Sequence, residues 1–304
     1  MTEKSSSVPK VRIGSTLPSA VIPESANLPY KTMSGMFAHL ERACTDFGGD
    51  PLGLSEQAAE TPYAICLVPR SGSTFLTHLL KETKCFGFPD EWLGLPEAET
   101  QARETGATDW DSLLKRILSR HASPNGVSGV ELALAHITWG REATGRQKLL
   151  DPEMRYFYLR RRNIVRQAIS MHVAHQSGVL HSFQMNDDAR TVRDAVLYDA
   201  GEIRSWIKFL QDEELKWERE FGSLGIEPVR IYYEDLIARP ERIVRLFSNV
   251  LGLPATPTVK DSPIERVGTS RTDEWETRYR EEDARFLEAL ARHRPLVHIP
   301  GPAS

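Results

Sequence analysis

The sequence predicts an α/β domain in which helices cover both faces of a parallel sheet. Three short apolar segments, residues 63–68, 155–159 and 228–233, have the length and composition of buried strands. Each is followed by a segment whose apolar residues recur with helical spacing, and a further strand is indicated from Gly126 onwards. Strands alternating with helices are typical of a three-layer parallel sheet, which binds its ligands at the carboxyl ends of the strands.

A single folded domain accounts for most of the chain. Its 304 residues suffice for one large α/β domain, which we place at 32–295, after a flexible Ser- and Pro-rich arm at 1–31 and before a loose tail at 296–304. The helical pattern predicts helices from Ser73 onwards and over 109–122, 164–177, 190–221, 240–251 and 273–292.

The bulk composition narrows the classes of function. The net charge is −4, so a general nucleic-acid surface is not indicated, and an anionic ligand needs a local basic cluster. The three cysteines, Cys44, Cys66 and Cys85, lack a metal-like spacing, and we predict no metal site. Apolar runs reach only about six residues and the first residues lack an apolar signal segment, so we expect a cytoplasmic protein without stable membrane insertion.

The strongest local signal is the segment PRSGSTFL, which joins the first strand to its helix. Gly72 allows a tight turn, so that the amides of Gly72, Ser73 and Thr74 can converge at the helix N-terminus and bind phosphate or sulfate. Arg70 and the two hydroxyls add side-chain donors. The alternative is an ordinary helix-capping turn, with Ser71 or Ser73 as the cap and Arg70 in solvent.

This loop differs from a Walker A loop in two ways. The pattern G-x-x-x-x-G-K-[ST] requires a Gly five residues before Gly72 and a Lys after it, whereas this chain has Leu67 and Ser73 there. A phosphotransferase that uses ATP and magnesium is therefore the weaker hypothesis.

A second anion signal follows the strand at 155–159. Arg162 stands at the strand end, and Ser170 lies eight positions later, about two turns into the next helix. Both can reach an anion beside that helix, although a charged strand end followed by a core-facing Ser is the alternative. Two anion sites at strand ends suit a nucleotide with two distant anionic groups, such as 3′-phosphoadenosine-5′-phosphosulfate (PAPS).

The motifs, taken in order, resemble the bacterial trehalose 2-sulfotransferase-like group of PAPS-dependent carbohydrate sulfotransferases. The resemblance extends from about residue 62 to residue 280 and is carried by YAICLVPRSGSTFLTHLL, GFPDEWL, SPNGVSGVE, RRRNIVRQAIS, IYYEDL and RVGTSRTDEW. It implies a three-layer sulfotransferase fold related to P-loop nucleotide kinases, PAPS as donor, a carbohydrate or glycolipid as acceptor, and a homodimer.

The resemblance also assigns site residues. It places the sulfate end of the donor on the loop and the 3′-phosphate on the Arg162 motif. It also implies that the C-terminal segment, through Arg266 or Arg271, closes over the 3′-phosphate or the adenine. The donor-binding residues that it implies are Arg70, Ser71, Gly72, Ser73, Thr74, Phe75, Arg162, Ser170, Arg266 and Arg271.

Glu91 is the candidate general base. It follows Asp90 in GFPDEW and resembles the family's Pro-x-Glu-aromatic motif, while Trp92 can stack on a sugar face. The alternative is that both acids lie at a solvated helix start. The family tends to carry Lys where this chain has Glu131, so the acceptor pocket or the activity differs, and a non-catalytic nucleotide or glycan binder stays open. Four histidines are competing bases: His78, His136, His172 and His175.

Overall fold

The computed structural model describes residues 28–43, 59–179, 186–259 and 270–294. Most of the predicted arm, the whole predicted tail and Arg266 lie outside the described residues. The strands are β1 (Thr61–Leu67), β2 (Val127–Leu132), β3 (Arg155–Arg160) and β4 (Val229–Tyr232). The helices are α1 (Met33–Ala43), α2 (Ser73–Thr83), α3 (Leu95–Thr105), α4 (Trp110–Arg120), α5 (Leu134–Thr144), α6 (Ile164–Ser177), α7 (Asp187–Asp194), α8 (Ala200–Leu224), α9 (Tyr233–Ala238), α10 (Pro240–Val250), α11 (Ser270–Glu282) and α12 (Ala284–His293).

The four strands form one parallel sheet in the order β2-β1-β3-β4. In the register of the sheet, Ile65 of the central strand β1 lies between Glu131 of β2 and Phe157 of β3. All carboxyl ends therefore meet at one edge of the sheet, which is where parallel sheets bind ligands.

Both faces of the sheet are buried, which confirms the predicted three-layer α/β architecture. Along β1, Tyr63 and Ile65 pack with residues of α2 and α10, whereas Ala64 and Cys66 pack with residues of α6 and α8 on the other face. Because alternate side chains enter two separate cores, β1 reads as a continuous apolar run in the sequence.

Two predicted helices are each divided in the structure. The predicted helix over 190–221 is α7 followed by α8, because the Asp199 side chain accepts from the Glu202 amide at 2.9 Å and begins a new helix there. The predicted helix over 273–292 is divided into α11 and α12 at Asp283. This carboxylate is buried and accepts hydrogen bonds from Arg204 and from the Tyr279 hydroxyl.

A buried ion-pair network connects the end of α12 to the carboxyl edge of the sheet. Glu214 of α8 accepts from Arg160 at 2.8 Å and from Arg294 at 2.7 Å, and Glu214 and Arg294 are each 3% exposed. Arg294 also donates to the carbonyl oxygens of Arg161 and Arg162. The network therefore fixes the backbone that follows β3.

Candidate active site

The loop after β1 has the conformation that a convergent anion site requires. Gly72 has φ 97°, and α2 begins at the next residue, Ser73. A Cβ at position 72 would lie 2.4 Å from a ring carbon of Tyr233, so only glycine fits both the backbone and the space. The loop amides therefore lie at the N-terminus of an 11-residue helix, which is a position where backbone N–H groups can bind an anion.

Side chains from two neighbouring elements hold this loop in place. The Trp217 indole of α8 donates to the Leu67 carbonyl at 2.9 Å, and the Gln167 amide of α6 donates to the Pro69 carbonyl at 2.7 Å. Both contacts satisfy backbone oxygens at the strand end, so the loop is positioned before any ligand arrives.

The structure brings together the two anion motifs that lie far apart in the sequence. Arg70 Nε donates to Ser170 Oγ at 3.0 Å. Burial, together with the charges of Arg161 and Arg193, lowers the pKa of Arg70 to about 10. The charges of Arg161 and Arg193 thus disfavour the charged form of Arg70, and a bound anion would relieve that repulsion.

Arg161 and Arg193 were not among the residues singled out from the sequence. Arg161 lies 4.6 Å from the Tyr233 ring centroid, and its Nη1 donates to the Arg70 carbonyl at 3.4 Å. The run of three arginines at 160–162 signals the position, but only the fold selects which one turns toward the loop. Arg193 lies on α7, where no motif marks it.

Arg162, in contrast, forms its side-chain contacts with Tyr232 and Asp235. It donates to both carboxylate oxygens of Asp235, at 2.9 and 2.6 Å, and it lies 4.1 Å from the Tyr232 ring centroid. Its backbone amide donates to Glu234 at 3.0 Å. The structure therefore pairs the Arg162 guanidinium with Asp235 of α9, the helix that follows β4.

The other predicted donor-binding residues take up varied positions. Ser71 is buried, and its hydroxyl has no hydrogen-bond partner within the described part of the chain. Thr74 and Phe75 lie in the first turn of α2 and are half-buried. Arg271 donates to the carbonyl oxygens of Arg193 and Asp194, at 2.7 and 2.8 Å. It therefore contacts the end of α7, the helix that carries Arg193.

Glu91 is connected to the loop through Glu131, which interacts with both Glu91 and Ser73. The Glu131 amide donates to the Asp90 carbonyl at 2.9 Å, which aligns the segment before α3 with the end of β2. The Glu91 and Glu131 carboxyl groups form a hydrogen bond with each other, and the Ser73 hydroxyl forms one with Glu131. Burial and then the charge of Asp90 raise the pKa of Glu91, while burial and then the charge of Glu91 raise that of Glu131.

Trp92 is packed rather than freely exposed. Its ring stacks on His121 with centroids 4.1 Å apart, and its Nε1 donates to the Phe88 carbonyl at 3.0 Å. Lys81, which pairs with Asp90, lies 5.9 Å from the Trp92 ring centroid. One face of this ring is thus already covered by a neighbouring side chain.

Comparison with known proteins identifies the family. A family model described as Stf0 sulphotransferase matches residues 62–137 and 142–282. The chain belongs to the Stf0 sulphotransferase family. Its relatives include the trehalose 2-sulfotransferases of Mycobacterium tuberculosis (28% identity, covering 75% of this chain and 97% of that protein) and Mycolicibacterium smegmatis (27%, covering 74% and 96%). The recognition made from the ordered motifs is therefore confirmed.

A solved structure is also similar to this Stf0 sulphotransferase. The sulfotransferase domain of the Synechococcus PCC 7002 olefin synthase has 13% identity and a TM-score of 0.35, covering 76% of this chain and 98% of that one.

Within the described residues, no group of three or more His, Cys, Asp or Glu side chains is arranged to hold a metal ion. None of the described helices has the length and apolar character needed to cross a membrane.

Proposed function

We propose that this protein transfers a sulfuryl group from PAPS to a hydroxyl of a carbohydrate or glycolipid, with Glu91 as the general base. The observation that carries the proposal is the hydrogen bond between Arg70 of the loop and Ser170 of the second motif. It joins two anion-binding motifs at one edge of the sheet, and a carboxyl group connected to Ser73 stands beside them.

The residues at the loop suit a doubly anionic donor. Arg161 Nε and Ser71 Oγ are buried donors without a hydrogen-bond partner among the described residues. Buried donors of this kind are costly unless a ligand satisfies them. The loop amides, Arg70 and Ser71 would hold the sulfate end of the donor, while Arg161, Arg162 and Ser170 would hold the 3′-phosphate.

The proposed chemistry is an in-line transfer. The acceptor oxygen forms a bond to sulfur while the bond between sulfur and the phosphate oxygen breaks, and the electron pair stays with the departing nucleotide. Arg70 and the loop amides stabilise the charge on that oxygen. Glu91 accepts the proton of the acceptor hydroxyl.

A carbohydrate acceptor is supported by the relatives, which are named as trehalose 2-sulfotransferases. Glu91 and Trp92 lie near the end of the segment that joins α2 to α3, where a sugar would approach the loop. The packed state of Trp92 on His121 suggests that a sugar contacts its free edge or its remaining face.

Two measurements test this function. Isothermal titration should detect binding of adenosine 3′,5′-bisphosphate and no comparable binding of ATP with magnesium. Transfer of labelled sulfate from PAPS to a panel of sugars and glycolipids should yield a labelled product. Preference for ATP, or nucleotide binding without transfer to any acceptor in the panel, would contradict the proposal.

The position of Arg162 leads to a prediction about the 3′-phosphate. We expect Arg162→Gln to weaken binding of adenosine 3′,5′-bisphosphate roughly tenfold or more, because a charge-assisted hydrogen bond is lost. Binding of adenosine 5′-monophosphate, which lacks that phosphate, should change little. Asp235→Asn is the matched variant, since it releases the guanidinium and should strengthen bisphosphate binding. Equal weakening of both nucleotides by Arg162→Gln would show that Arg162 has only a structural role.

A further inference from the structure

The end of β2 carries an acidic side chain in an environment that disfavours its charge. Glu131 is 2% exposed, and its register partner on β1 is Ile65. Its side chain lies on the α2 face of the sheet together with Tyr63 and Val127, near the first residue of α2. A carboxylate buried in this way requires either a cation or a proton.

The charged and titratable groups around Glu131 do not supply a cation that bonds to it. Among the described residues, no Lys or Arg forms an ion pair with Glu91 or Glu131. Lys81 of α2, whose charge acts on Glu131, pairs with Asp90. The groups that interact with the Glu91 and Glu131 carboxyls come from β1, from α2, from α3 and from the segment that joins α2 to α3. They are Tyr63, Ser73, Lys81, Asp90 and Glu97. His136 of α5 accepts from the Ala133 amide and stays neutral, because burial lowers its pKa to about 4.

The hydrogen bonds around Glu131 indicate where its proton lies. The Glu131 amide donates to the Asp90 carbonyl at 2.9 Å, which holds the end of β2 beside residue 91. The Glu131 carboxyl interacts with the Ser73 hydroxyl and with the Glu91 carboxyl. Two carboxyl groups in hydrogen-bond contact share a proton, because both cannot ionise at close range. Glu91 is the more exposed of the two and takes the negative charge, so the fully buried Glu131 keeps the proton.

We propose that Glu131 is a positioning residue that stays protonated and donates its carboxyl proton as a hydrogen bond to Glu91. The donated bond orients the Glu91 carboxylate beside the loop and stabilises its charge, so that this carboxylate can accept the proton of the acceptor hydroxyl. Ser73 links this pair to the donor-binding loop. The catalytic role of this hydrogen bond rests on the proposed function, but the bond itself can be tested in the protein without donor or acceptor.

The experiment separates hydrogen bonding from titration with three substitutions. Glu131→Gln keeps an oxygen for Ser73 and an N–H for Glu91, so it should behave like the wild type. Glu131→Met removes the donor at similar volume, so the Glu91 carboxylate loses stabilisation. Glu131→Lys places a cation beside Glu91, which favours its charged form.

The first readout needs no turnover. Carbon-13 NMR of labelled glutamate carboxyls in the full chain should show Glu91 titrating near pH 7 in the wild type and in Glu131→Gln. The midpoint should move up by about one pH unit in Glu131→Met and down in Glu131→Lys. Thermal melting identifies any variant that does not fold, and the Gln and Lys variants then still test the hydrogen bond.

The second readout is the pH profile of sulfate transfer. Its acid limb should follow the same order. At pH 7 Glu131→Met should lose about fivefold of its rate, because a midpoint raised by about one pH unit lowers the ionised fraction of Glu91 from about a half to about a tenth. An unchanged Glu91 midpoint in Glu131→Met, or a Gln variant that behaves like the Met variant, would overturn the proposal. Titrations as expected without transfer at any pH would instead overturn the proposed function.

Discussion

Replacing Glu91 with Gln is expected to lower kcat by about 10²- to 10⁴-fold, the usual contribution of a positioned general base. The amide keeps the volume of the side chain but cannot accept the proton of the acceptor hydroxyl. Binding of adenosine 3′,5′-bisphosphate should stay unchanged, because the proposed donor contacts are made by the loop and by the Arg162 motif. The rate comes from labelled-sulfate transfer and the affinity from isothermal titration.

Asp90→Asn is the matched control for this experiment. Asp90 adjoins Glu91, and its Oδ1 accepts from the Glu91 amide at 2.9 Å, which an Asn side chain can still do. The change removes a carboxylate and its pairing with Lys81 but leaves the candidate base. A large loss of kcat in the control, or full activity in Glu91→Gln, would mean that the proton goes elsewhere.

Removing the Glu214 carboxylate is expected to destabilise the fold by about 3–5 kcal/mol, since it leaves two buried arginines without their counter-ion. The residue lies between Arg160 and Arg294, which are 11% and 3% exposed in their side chains. We expect Glu214→Ala to lower the free energy of unfolding in urea by this amount. Glu214→Gln keeps part of the hydrogen bonding and should lose less.

Glu218→Ala provides the control, one turn further along α8. Glu218 also pairs with Arg160, at 3.6 Å, and with Arg230, but its side chain is 36% exposed. Exposed ion pairs contribute about 0–1 kcal/mol, so this variant should retain most of its stability. Similar losses in Glu214→Ala and Glu218→Ala would refute the interpretation of the buried network.

The same network gives stability a defined dependence on pH. Burial on its own would raise the pKa of Glu214, but the hydrogen bonds and charges of Arg294 and Arg160 outweigh it and hold that pKa below its ordinary range. A lowered folded-state pKa means that the stabilisation is complete above the unfolded value of about 4.3 and is lost as pH falls through the folded value. The difference between wild type and Glu214→Ala should therefore shrink only in acid.

The sequence predicted β1 and β3 well because most of their residues are buried, on both faces of the sheet. Apolar runs such as the one that forms β1 do not depend on distant partners to be recognised. The helix boundaries were less predictable, because Asp199 and Asp283 interrupt otherwise continuous helical patterns. At Asp283 the break involves Arg204, 79 residues away in the chain, and sequence spacing does not reveal that contact.

The amino-acid sequence by itself determined the parallel α/β sheet, the glycine turn after β1 and the family. These depend on local patterns: short apolar runs, the loop PRSGSTFL and the order of the motifs. Only the tertiary structure decided that Arg70 meets Ser170, that Arg161 rather than Arg162 adjoins the loop, and that Glu131 bonds to Glu91. The reason is physical, because the direction of a long side chain at a strand end depends on the burial and charge of neighbours far away in the chain.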